Sequence, residues 1–123
     1  MLIRDISGSK EIIAGDNTLL KELFNPVKDD LEIRYSIAVG RVQLGGTTYL
    51  HRLKSSEVYF FLKGTAEITI NEETAIVGAS QAVYVPPGAS QLVKNVGNDE
   101  LLFVCIVDPA WKEDDEEILE FGG

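Results

Sequence analysis

Basic residues, cysteine and long apolar runs are all scarce in this chain. Cys105 is the single cysteine among 123 residues, so no internal disulfide can form. Lysine and arginine total 11 against 20 acidic residues, a formal net charge of −9. The stretch from Lys112 to Gly123 sets one lysine against six acids, and the remainder is acidic as well. Neither part offers the basic footprint that phosphate backbones require, which excludes nucleic acid as the main partner. No apolar run approaches ~20 residues, so no membrane-spanning segment is expected. The N-terminus, Met1-Leu2-Ile3-Arg4-Asp5-Ile6, meets charge at once and lacks a signal-peptide core. These absences together point to a cytoplasmic protein. Histidine, a further metal ligand, is as scarce as cysteine: His51 stands alone.

What is present describes one domain. The chain is 45% apolar and 25% charged, ordinary for a globular protein with a single core. Asp16-Asn17-Thr18 can cap a short helix through Leu19–Phe24, stopped by Asn25-Pro26. From Leu31 onward the chain reads as strands. Turn signals recur at Gly45-Gly46, Lys63-Gly64, Asn71-Glu72-Glu73, Gly78-Ala79-Ser80, Pro86-Pro87-Gly88 and Gly97-Asn98-Asp99. The segments between are rich in Val, Ile, Thr, Tyr and Phe, which implies an all-β sandwich or barrel. The organisation expected is an N-terminal strand and short helix over 1–30, a barrel over 31–109, and a solvated acidic tail over 110–123.

Strand alternation orders the side chains. Thr65–Ile70 turns Ala66, Ile68 and Ile70 inward, and Leu101–Val107 puts Leu101, Phe103, Cys105 and Val107 on one face. Glu57, Tyr59 and Phe61 form another inward row, with Phe60 and Leu62 outward. Apolar residues on both faces imply cover outside, from a homodimer partner or the N-terminal segment.

Two spaced motifs then carry a resemblance. Gly45, His51, Glu57 and Gly64 keep every spacing of the pattern G, five residues, H-x-H, three or four residues, E, six residues, G, with Leu53 at the second histidine. Pro86, Gly88 and Asn95 keep the pattern G, five residues, P-x-G, two residues, H, three residues, N, with Ser80 at the glycine and Gln91 at the histidine. The chain in this way resembles the cupin superfamily of small jelly-roll barrels, prokaryotic single-domain type, and Asp108-Pro109-Ala110-Trp111 looks like a common ending among them. The resemblance implies a barrel whose histidines and glutamate hold a divalent metal. Here it leaves His51 and Glu57, with Gln91 as a weak oxygen donor, for Zn, Ni, Mn or Fe. One histidine cannot supply the two-histidine, one-carboxylate iron triad.

Each candidate has a plainer reading beside it. His51 and Glu57 are candidate ligands or general acid and base, or else a hydrogen-bonded core pair. Cys105 is either a further ligand near the metal or an inert buried thiol. Tyr49, Tyr59, Phe61 and Phe103 line a narrow aromatic pocket with Gln91, or simply fill the core. Three roles stay open: a small-molecule binder with a metal; an isomerase, epimerase, lyase or dioxygenase-like enzyme acting on a sugar or small acid; and a metal-free structural or binding module.

Overall fold

The computed structural model describes residues 1–121. Among these, strands dominate and fall into two antiparallel sheets. The first holds β1 (Ile12–Ile13), β2 (Leu19–Phe24), β3 (Ser36–Val42), β10 (Leu101–Asp108), β5 (Ser56–Lys63) and β8 (Ala82–Val85), in that spatial order. The second holds β11 (Glu116–Glu120), β4 (Leu50–Leu53), β9 (Ser90–Asn95), β6 (Thr65–Ile70) and β7 (Glu73–Gly78). The all-β expectation is met. No helix among the described residues is long and apolar enough to cross a membrane.

Alternation is what closes the core. Leu101, Phe103, Cys105 and Val107 are buried along β10, and Glu57, Tyr59 and Phe61 along β5. The two strands pair so that Tyr59 faces Cys105 and Phe61 faces Phe103. Tyr59 meets Phe103 edge-on at 5.3 Å between centroids, a favoured aromatic geometry. Ala66 and Ile68 come from β6 and Val93 from β9, all buried. Phe60 and Leu62 point out, 40% and 42% exposed, so the first sheet keeps an apolar outer face.

Two turns explain motif positions. Asn95 donates through Nδ2 to the carbonyls of Val42, Gln43 and Asp99 and accepts from the Gly97 amide. It ties down a turn. Ser80, at a glycine position of the second motif, has φ 74, in the left-handed region that favours glycine.

Two expectations from sequence are corrected. Leu19–Phe24 is strand β2 and not a helix; the only N-terminal helical piece is a 3-10 turn at Ile6–Gly8. Asp16 does accept from the Thr18 amide at 3.1 Å, but as the turn of a β1–β2 hairpin, with Asn17 at φ 73. Six residues make a weak helix, and pairing with β3 sets Leu20 against Gly40 and buries it. The acidic tail is not a free end either. Glu116–Glu120 forms β11 and pairs with β4, with Ile118 opposite His51. Arg52 reaches Glu117 at 2.8 Å, and Phe121 packs edge-on against Tyr49.

Candidate functional site

The two corrected segments close one end of the barrel. The β1–β2 turn brings Asp16, β4 brings His51, β11 brings Glu116, and β5 brings Glu57. All four line one cavity of ≈ 40 Å³. Asp16, His51 and Glu57 are 7%, 2% and 6% exposed. Such density of buried acid needs a physical account, because an ionised carboxylate out of water is costly unless paired.

Hydrogen bonds orient the ring of His51. Its Nδ1 lies 2.7 Å from the Tyr49 carbonyl, which can only accept, so Nδ1 carries the proton. Nε2 is left facing Asp16 Oδ2 at 3.2 Å. Asp16 is itself held by the Thr18 amide on Oδ1. One donor atom each from Asp16, His51 and Glu116 lies within 4.8 Å of the others. These three form a group able to hold a metal ion.

Glu57 is incompletely satisfied. Its Oε1 is buried with no hydrogen-bond partner. Burial pushes its carboxyl up to about 8, and the Asp16 carboxylate adds to the push, with Gln91 drawing it partly back. Burial raises Glu116 as well, again helped by Asp16 and opposed by His51. Burial likewise pushes the Tyr59 hydroxyl and the Cys105 thiol up, with Glu57 reinforcing both. Cys105 is therefore a thiol and not a thiolate in this setting.

The residues singled out from sequence distribute unevenly. His51, Glu57, Tyr59, Phe103 and Cys105 line the cavity. Gln91 is buried beside it and opposite His51 in the β4–β9 pairing, but its Oε1 accepts the Tyr59 hydroxyl. Phe61 is stacked on Tyr59 in the core and is not part of the cavity wall. Tyr49 lies before β4, half-buried against Phe121. Leu53 lines the wall and offers no donor. Asp16, Glu22, Glu116 and Trp111 also line the cavity, and neither motif marks them. Two signals for them exist in the sequence. Gly15-Asp16-Asn17 between apolar pairs is a hairpin turn, and Ile118-Leu119 interrupts the acidic run as a strand would.

Comparison with known proteins agrees with this fold. The family model described as "Cupin domain" matches residues 38–107. An uncharacterized protein of Methanocaldococcus jannaschii is 31% identical over 112 residues, covering 90% of this chain and 89% of that protein. Mannose-1-phosphate guanylyltransferase of Sinorhizobium fredii is 30% identical over 118 residues; the match takes 95% of this chain but 20% of the enzyme. Oxalate decarboxylase from Bacillus subtilis superposes with TM-score 0.80 at 18% identity, over 93% of this chain and 31% of that one.

Proposed function

This chain belongs to the cupin family, and from that premise we propose that its barrel binds a divalent metal and, beside it, a small oxygen-bearing organic ligand. The observation that carries this reading is the buried Glu57 Oε1 without a partner, in a cavity that it shares with Asp16, His51 and Glu116 and that, among the described residues, no lysine or arginine lines. A cation there would offset the mutual repulsion of the carboxylates and take the lone pair of His51 Nε2. The donors fit the ion: imidazole and carboxylate suit Zn, Mn, Fe and Ni. When bound, the metal supplies Lewis acidity toward an oxygen of the ligand.

The protein's own residues do the rest. Tyr49 fixes the ring of His51 through Nδ1. Tyr59 lines the cavity with its hydroxyl donated to Gln91 Oε1 behind it. A cavity of ≈ 40 Å³ admits about two or three water-sized groups, so only the polar head of the ligand enters. A free carboxylate or phosphate finds no cationic side chain there, which favours hydroxy and keto compounds, sugars among them, that approach the metal through neutral oxygens.

A catalytic reading has one observation of its own. Burial pushes the Glu57 carboxyl up to about 8 in the cavity wall, the direction that a general acid in isomerase, epimerase or lyase chemistry requires. The proposal extends to a cytoplasmic homodimer through the first sheet, where Phe60, Leu62 and Tyr84 stand 40%, 42% and 61% exposed.

Trp111, the single tryptophan, lines the cavity and reports on its contents. Titration of small neutral hydroxy and keto compounds and simple sugars, with and without zinc or manganese, should change Trp111 fluorescence saturably and only in the presence of metal. A flat response to every compound under both conditions would remove the ligand half of the proposal.

A further inference from the structure

We propose that Asp16, His51 and Glu116 are the protein ligands of the divalent metal, so that the ion is held by the two ends of the chain and not by the positions the two cupin motifs supply. This rests on the reading that the barrel holds a metal, and assigns that metal its ligands.

The motif positions leave too few donors. Leu53 has none, and Gln91 spends its amide oxygen on the Tyr59 hydroxyl. His51 and Glu57 remain, and two ligands do not make a tight site for a first-row ion. Asp16 and Glu116 fill the deficit from outside both motifs. Asp16 Oδ2 stands 3.2 Å from His51 Nε2, and the three donors lie within 4.8 Å of one another. Two donors on opposite sides of one ion stand ~4 Å apart, so the long side chain of Glu116 closes what remains.

Three further observations converge. Glu57, 6% exposed, lines the same cavity with Oε1 unpartnered but stands outside the group of three converging donors, where a neutral carboxyl can face a ligand beside the ion. Gly15 forms a cradle for Glu116: a Cβ at Gly15 would stand 2.1 Å from Glu116 Oε1. The bare backbone there lets the carboxylate reach the turn that carries Asp16. The outer bonds match those of ligating groups, with the Tyr49 carbonyl on His51 Nδ1 and the Thr18 amide on Asp16 Oδ1. Two carboxylates and an imidazole bring two negative charges to a doubly charged ion. Their oxygen-rich character suits manganese and zinc over softer ions.

The site also explains β11. That strand contains no buried residue and pairs with β4 alone, yet it carries Glu116 inward. A metal bound to Glu116 and Asp16 fastens it across the barrel end.

Calorimetric titration of chelator-stripped full-length protein with zinc or manganese tests the assignment. The set is wild type, Asp16→Asn, Glu116→Gln, Gly15→Ala and Glu57→Gln, each checked for fold by circular dichroism. Wild type should bind, Asp16→Asn and Glu116→Gln should weaken binding by roughly 10–100-fold or more, and Glu57→Gln by less than ~3-fold. Gly15→Ala keeps every donor and displaces only Glu116, so it too should weaken binding even if Asp16→Asn loosens its turn. Abolition by Glu57→Gln, with Asp16→Asn, Glu116→Gln and Gly15→Ala near wild type, overturns the assignment and leaves the metal itself standing. No binding of either ion by wild type overturns both.

Discussion

Replacing Glu57 by glutamine should flatten the pH dependence of stability in the metal-free protein. The Glu57 carboxyl is raised from 4.5 to about 8 by burial, with Asp16 adding to the shift. The folded state thus holds this proton more tightly than the unfolded chain does. Below pH ~4.5 both states are protonated and the group is indifferent. From there to about 8 the unfolded chain releases the proton and the folded one does not, so folding stability declines. Above about 8 both are ionised and the decline stops. Between pH 5 and pH 7 this one group removes ~2–3 kcal/mol, which for a chain of this size is a fall in Tm of roughly 8–15 °C. Glutamine mimics the neutral carboxyl in shape and does not titrate. Thermal denaturation of wild type and Glu57→Gln in chelator, at pH 5, 6, 7 and 8, isolates the effect, because every other titrating group is common to both. The Glu57→Gln protein should gain steadily on wild type as pH rises through this window. Parallel curves, with a constant difference from pH 5 to pH 8, would mean that Glu57 is ionised in the folded protein and would refute the burial argument.

Other substitutions probe the frame around the site. Ser80→Gly relieves a left-handed backbone at an exposed turn and should stabilise by ~0.5–1.5 kcal/mol, read as a higher denaturant midpoint at unchanged slope; a lower midpoint would contradict the strain. Gly40→Ala places a Cβ 2.6 Å from the Phe103 ring and should cost ~1–3 kcal/mol, partly recovered in combination with Phe103→Leu; an undiminished Tm would show that the ring has room to move. Tyr59→Phe leaves the buried Gln91 oxygen without its donor and should cost ~1–3 kcal/mol by denaturant titration, whereas a neutral effect would mean that Gln91 has another partner.

The legibility of this sequence follows range. Strands such as β6 and β10, buried on one face, write their period into adjacent residues, so the inward direction of Ala66, Ile68, Phe103 and Cys105 is plain from alternation alone. His51 and Glu57 reach the cavity from β4 and β5, strands consecutive in the chain but one in each sheet, so their spacing brings both to it. Asp16 looks like a helix cap in sequence because the same side-chain bond to the amide two residues on serves a cap and an Asx turn alike; only pairing with β3 decides between them. Glu116 looks like part of a solvated run because its acidic neighbours dominate locally. Its partner strand, β4, lies far away in sequence, and no local pattern encodes that meeting. The cavity is therefore half visible in the motifs and half built by long-range pairing of the chain ends.

Elemental analysis of the untagged protein, purified without chelator and compared with folded His51→Ala, addresses the metal itself. About one divalent ion per chain should be present in wild type and lost in His51→Ala. Wild-type protein that stays metal-free after incubation with zinc, nickel, manganese and ferrous iron would contradict a metal in this barrel.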